Sequence, residues 1–147
     1  MKLTHILLVE DNEGDILLTR DAMANAGMDV TLSVVKDGKE AIDFLNREGA
    51  HRGVCRPDML LLDINLPKKN GHEVLQYVKG KDALKHIAVI MLTTSSSRVD
   101  IDLSYQCHAN CYITKPDDSN VFMEVIRKLE DFWISTVRLP LNTCSLQ

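Results

Sequence analysis

No apolar run in the 147 residues is long enough to cross a bilayer, and Met1-Lys2-Leu3-Thr4-His5 has neither the apolar centre nor the cleavage site of a secretory signal. The expectation is a cytoplasmic chain that does not enter a membrane. Basic charge is also thin. Against 21 Asp and Glu there are 17 Lys and Arg, a formal charge of −4, and the basic residues form no stripe that a phosphate backbone could follow. Direct nucleic-acid binding is therefore not expected. Cysteine is sparse: Cys55, Cys107, Cys111 and Cys144 show neither paired-motif spacing nor the density of a secreted scaffold, so reduced thiols are expected. Cys107-His108 with Cys111 lacks a fourth ligand at usual spacing and would straddle a helix end and a strand, which disfavours zinc. The length suits one domain able to bury a core without staples, taken here as residues 1–134 with a tail over 135–147.

Five short apolar segments, near 5–9, 30–35, 58–62, 87–92 and 111–114, alternate with segments of helical pattern. That order predicts an α/β fold, a doubly wound five-stranded parallel sheet with helices on both faces. A first helix is expected from about Glu13 to Ala26, with Ile16, Leu17, Met23 and Ala24 inward and Gly27 as a left-handed stop. A second follows Asp37-Gly38 on the stripe Ala41, Ile42, Leu45. Asn70-Gly71 precedes a third carrying Val74, Leu75 and Val78, and Asp117 to Ser119 caps a last helix through Phe122, Ile126 and Leu129. From Leu139 the tail is expected to be irregular.

The chemistry gathers at strand ends. Ile6-Leu7-Leu8-Val9 runs into Glu10-Asp11, Met59-Leu60-Leu61-Leu62 into Asp63, Ile87 to Leu92 into Thr93-Thr94, and Tyr112-Ile113-Thr114 into Lys115-Pro116. In an open parallel sheet the ligand crevice lies beyond the carboxyl ends of the strands, so an acid pair, a lone acid, a hydroxyl and a lysine would meet around one phosphoryl group. Crowding Glu10, Asp11 and Asp63 is costly, since two unit charges about 4 Å apart repel by about 4 kcal/mol at an effective dielectric near 20. The cluster therefore favours a divalent cation, and oxygen-only ligands suit Mg2+, with Mn2+ as a substitute.

The ordered set Glu-Asp, Asp-x-x-x-Pro, Thr and Lys-Pro resembles the receiver domains of two-component response regulators, over about residues 4 to 130. Asn65-Leu66-Pro67-Lys68-Lys69, Leu92-Thr93-Thr94-Ser95, Asn110-Cys111-Tyr112 and Phe132-Trp133 narrow the resemblance to small stand-alone regulators paired with bacterial phytochromes. The resemblance implies a flavodoxin-like receiver fold and a signalling protein, not a conventional enzyme. Asp63 would take a phosphoryl group from a histidine kinase, a bacterial phytochrome under the narrower resemblance, with Thr93 donating a hydroxyl hydrogen bond and Lys115 a fixed charge. Asp11, Asp63 and the backbone carbonyl of Asn65 would ligate the metal, and Glu10 would act through water. The family often has a cis bond before the matching proline, which Lys115-Pro116 permits.

Segment 99–107 alternates apolar and polar residues and by period alone reads as a strand. The resemblance implies a helix, with Val99, Leu103 and Cys107 on one face and Ile101 and Tyr105 on another. Ile101, Tyr105 and Val125 would then form a protein-binding surface, a homodimer face, bordered by the switch residues Thr93 and Tyr112, while an unidentified downstream protein reads the state. Ile16, Thr19 and Arg20 are the kinase-docking candidates. The connection 46–57 is longer than most receivers have, an extended second helix or a projecting loop. Asp117 and Thr94 depart from the family, which commonly has an aromatic and a small residue there.

Three other functions compete for the same residues. An aspartyl phosphohydrolase wants a second acid two residues after the nucleophile, where Asn65 stands. A flavin module wants a Ser/Thr/Gly-rich phosphate loop where Glu10-Asp11 would repel the anion. A receiver-like adaptor that is never phosphorylated is the alternative from another class, and the intact acid, threonine and lysine set argues against it.

Overall fold

Met59-Leu60-Leu61-Leu62 and Ala88 to Thr93 carry no polar alternation because both of their faces are covered. The computed structural model describes residues 3–25, 27 and 29–140. Strands β1 (Thr4–Val9), β2 (Val30–Val35), β3 (Met59–Leu62), β4 (Ala88–Thr93) and β5 (Cys111–Thr114) form one parallel sheet in the order β2-β1-β3-β4-β5. Helices α1 (Glu13–Asn25), α2 (Gly38–Asn46), α3 (Gly71–Gly80), α4 (Arg98–Gln106) and α5 (Ser119–Glu130) connect and close it. The chain leaves β1 toward β2 on one side and returns to place β3 on the other. The crevice between β1 and β3 is therefore where the winding reverses.

Because successive strand residues point to opposite faces, the sheet builds two cores. Leu7, Val9, Leu60, Leu62, Val89 and Met91 pack with Leu45, Leu75 and Val78 of α2 and α3. Ile6, Leu8, Met59, Leu61, Ile90 and Leu92 pack with Ile16 and Met23 of α1 and Phe122, Ile126 and Leu129 of α5. Short polar residues start the helices. Asp37 accepts from the Glu40 amide, Ser97 from Asp100, and Asp118 from Asn120 and Val121. Asn70 and Glu73 make a reciprocal capping box. Each such cap contributes about 1 kcal/mol.

Several local expectations need correction. In α1 the buried residues are Ile16, Thr19, Ala22 and Met23, whereas Leu17 and Ala24 face outward. The helix is described as far as Asn25; Ala26, the expected end, lies outside the described residues, and Gly27 has the expected positive φ of 67°. In α2 Phe44 is buried and Ile42 only partly so, because the helix turns Phe44 toward β1, where its ring meets His5. The helix stops at Asn46 with Arg47 left-handed, so the 46–57 connection is a loop with one short 3-10 turn (Gly49–His51) and not an extended helix. Segment 99–107 is helical up to Gln106, with Cys107 as its cap, but Val99 is 74% exposed and the buried side chain is Ser104. The Lys115-Pro116 bond is trans, since cis peptides are absent from the described residues. Cys107 and Cys111 are free thiols as expected; Cys55 is disulfide-bonded, so the reduced reading fails there.

After α5 the chain continues through a π-helical turn (Asp131–Thr136), and Trp133, Ile134 and Leu139 pack against the core. Ordered packing thus runs past residue 134. Residues 137–140 have no regular structure, and the rest of the expected tail, with Cys144, lies outside the described residues. Among the described residues no helix is long and apolar enough to cross a membrane.

Candidate functional site

The sheet's hydrogen bonding runs one residue beyond its strands and carries the functional groups with it. The Glu10 amide donates to Val35 O at 3.0 Å, the Asp63 amide to Val9 O at 3.1 Å and the Lys115 amide to Thr93 O at 2.7 Å. Glu10 and Asp63 are thereby fixed on adjacent strands, and Lys115 is fixed two strands along from Asp63, its side chain reaching back past the end of β4. Close packing holds the loop behind Asp63. The Gly71 amide donates to Ile64 O at 2.8 Å, and a Cβ on Gly71 would lie 2.1 Å from the Asp63 carbonyl oxygen. Only glycine lets α3 begin so near this loop.

Carboxylate oxygens of Glu10, Asp11 and Asp63 lie within 4.8 Å of one another, with Glu10 and Asp63 buried and Asp11 exposed. Asp63 Oδ1 accepts from the Ile64 amide at 2.8 Å, which fixes the plane of the carboxylate. Its Oδ2 faces Lys115 Nζ at 3.4 Å. The same ammonium makes a short contact to Glu10 Oε1 and lies 2.9 Å from Asp15 Oδ2. Burial alone would lower the lysine's pKa. Hydrogen bonds to Glu10 and Asp15, with the charges of Asp63 and Glu10, outweigh burial and push it up to about 12, so the ammonium is a permanent charge. For Glu10 burial wins over Lys115, and its pKa rises to about 7.

The residues present fit a hard divalent cation: all donors are oxygen, three carboxylates repel one another, and the exposed side at Asp11 leaves room for retained water. Asn65, expected to lend a carbonyl, is exposed beside them.

Thr93 is fully buried at the end of β4, its hydroxyl within 3.5 Å of the Ser95 amide. Tyr112 is half-buried and donates its hydroxyl to Ser95 O at 2.8 Å. The docking candidates separate. Ile16 and Thr19 are buried, the Thr19 hydroxyl donating to Asp15 O at 2.7 Å, and only Arg20 is exposed, because α1 presses that side into the core. Of the surface candidates, Tyr105 is 49% exposed, whereas Ile101 and Val125 are half-buried; Val99 and Val121 are the more exposed apolar residues on α4 and α5.

Asp15 escaped the sequence reading. The signal was present: it lies four residues after Asp11, one turn along a helix that starts over the crevice, and its amide is capped by Asn12 Oδ1 at 2.9 Å.

Residues 6–127 match the response regulator receiver domain. The chain is 41% identical to the response regulator Rcp1 of Synechocystis sp. over 135 residues, 92% of either chain. Its fold superposes on the phosphorylated cyanobacterial phytochrome response regulator RcpA with a TM-score of 0.92 at 44% identity, covering 95% of this chain and 99% of that one. Against the Mn2+-bound form of Rcp1 the TM-score is 0.91 at 40% identity, with 94% and 99% covered. With strand order, crevice and acid cluster in agreement, the chain belongs to the response regulator receiver family.

Proposed function

We propose that Asp63 is the phosphoacceptor of this receiver and that a histidine kinase, of the phytochrome class in view of the relatives, is its donor. One observation carries the reading: a buried carboxylate, fixed by the Ile64 amide, faces a permanently charged lysine and two further acids at the sheet's switch point. An Asp63 oxygen attacks the phosphorus of a phosphohistidine. The P–O bond forms as the P–N bond breaks, and the imidazole nitrogen keeps the electron pair. Lys115 offsets the charge of Asp63 before transfer and of the phosphoryl oxygens after it, and Thr93 supplies a hydroxyl donor from the end of β4. Mg2+, or Mn2+ in its place, would be held by Asp11, Asp63 and the Asn65 carbonyl, with Glu10 acting through water, and would supply charge neutralisation. The same groups would assist hydrolysis of the acyl phosphate, with no further substrate turned over.

Kinase docking falls to the exposed side of α1. Arg20 remains from the expected set, and Leu17, 60% exposed, joins it. The output is a changed protein surface on α4, β5 and α5, read by a second copy of the chain or by a downstream protein. Val99, Tyr105 and Val121 support it as exposed apolar residues, with Ile101, Tyr112 and Val125 bordering them.

Intact-mass measurement after acetyl phosphate treatment tests the assignment. One phosphoryl group is expected with Mg2+, none with chelator and none in Asp63→Asn. Equal labelling of wild type and Asp63→Asn would refute it, and no labelling of a folded wild type would favour an adaptor that works only by binding.

A further inference from the structure

Helix α4 is held to the domain in an unusual way: of its nine residues only Ser104 is fully buried, and none of its apolar side chains reaches that depth. Polar bonds tie it down instead. Ser104 Oγ donates to Asp100 O at 2.8 Å. His72 of α3, buried and unused by the phosphotransfer chemistry, places Nε2 3.0 Å from Ser104 Oγ and 3.3 Å from Asp100 O. Ser104 has one hydroxyl proton and spends it on the Asp100 carbonyl, which can only accept. Nε2 therefore carries the hydrogen and donates across the α3–α4 boundary.

The chain of bonds continues to the site. Ser95 Oγ donates to Asp100 Oδ2 at 2.6 Å, and Tyr112 donates to Ser95 O at 2.8 Å. The Ser95 amide in turn points to the Thr93 hydroxyl at 3.5 Å. A Thr93 hydroxyl drawn toward a phosphoryl group would leave the Ser95 amide that now donates to it. Ser95 is tied to the Asp100 carboxylate, and the Asp100 carbonyl is held by Ser104 and His72.

We infer that His72 and Ser104 are positioning residues: a latch between α3 and α4 that, through Asp100 and Ser95, holds Thr93 in its resting place and sets how tightly the site takes a phosphoryl group. The inference rests on Asp63 being the phosphoacceptor. Since apparent affinity scales with the fraction of molecules in the competent state, releasing one hydrogen bond that favours the resting state tightens binding by about five-fold.

The test is beryllofluoride binding with Mg2+, followed by 19F NMR, on full-length wild type, Ser104→Ala, Ser95→Ala, His72→Phe and His72→Gln, with melting temperature measured beside it. Ser104→Ala, Ser95→Ala and His72→Phe should each bind about five-fold more tightly, and Ser104→Ala combined with Ser95→Ala no more tightly than either alone, because both cut one chain. His72→Gln, which keeps a donor, should return toward wild type. Ser104→Ala removes a single oxygen and carries the test if His72→Phe does not fold. Unchanged or weaker affinity in folded variants would overturn the latch, as would effects that multiply in the double variant. A wild type that binds no beryllofluoride would instead remove the phosphoacceptor reading, and the latch's role with it.

Discussion

Lys115 divides one positive charge among Glu10, Asp15 and Asp63, and the partner that the site chemistry does not require is Asp15, at 2.9 Å against 3.4 Å for Asp63. Asp15→Asn keeps the side-chain shape and removes a negative charge that repels an incoming anionic phosphodonor. Labelling by acetyl phosphate should become about two- to five-fold faster, the scale of a partly exposed ion pair, through KM more than through the maximal rate. A slower rate would mean that Asp15 is needed to hold Lys115 in place. Glu130 poses the opposite problem. It is fully buried, neither carboxylate oxygen has a hydrogen-bond partner among the described residues, and burial raises its pKa from 4.5 to about 7. Between those values the native state keeps a proton that the unfolded chain has lost, so this group's contribution makes stability fall as pH rises from about 4.5 to about 7, with the full penalty present above. Glu130→Met should therefore stabilise the domain by on the order of 1–3 kcal/mol at about pH 8 and by clearly less at about pH 5, in urea unfolding. Equal gains at both pH values would contradict a buried charge.

At the scale of elements, the contact between α3 and the loop after β3 is backbone against backbone. Gly71→Ala would drive its methyl into the Asp63 carbonyl, at 2.1 Å from the ideal Cβ, and into Ile64 Cα at 2.7 Å. The loop must move, so the variant should lose about 1–3 kcal/mol of stability and, in folded protein, most of its acetyl phosphate labelling. Full labelling would show that the nucleophile does not depend on this packing. The elements themselves were legible because their apolar runs are short, regular and bounded by caps: all five strands and the starts of α2, α3 and α5 follow from Asp37, Asn70-Gly71 and the Asp117 to Ser119 run. What failed was the inward face of helices. Leu17 and Val99 are apolar yet exposed, and Thr19 and Ser104 are polar yet buried with their hydroxyls bonded to carbonyls four residues back. A hydroxyl satisfied within its own helix can enter the core at little cost, and hydropathy does not register that. The same blindness hid Asp15 and the bonds from Ser95 to His72, which depend on three-dimensional neighbours and not on spacing.

For the whole molecule, the crevice lies at one end of the sheet and the apolar residues Val99, Tyr105 and Val121 lie on exposed helix faces beside β5. Tyr105 and Tyr112 join the two regions, the Tyr112 amide donating to Tyr105 Oη at 3.1 Å while the Tyr112 hydroxyl reaches the loop after β4. Few bonds thus separate Thr93 from that surface, and the output proposed for it would travel through them. Equilibrium sedimentation should show self-association that beryllofluoride strengthens and Tyr105→Asp weakens; a monomer in both states, with kinase and effector binding intact in the variant, would leave the patch without that role. All of this depends on where the phosphoryl group is attached. Borohydride reduction of acetyl phosphate-treated protein converts an aspartyl phosphate to homoserine, and peptide mass spectrometry locates it. The account predicts homoserine at position 63 alone, dependent on Mg2+; homoserine at position 11 or 15, or in no peptide from fully labelled protein, would contradict it.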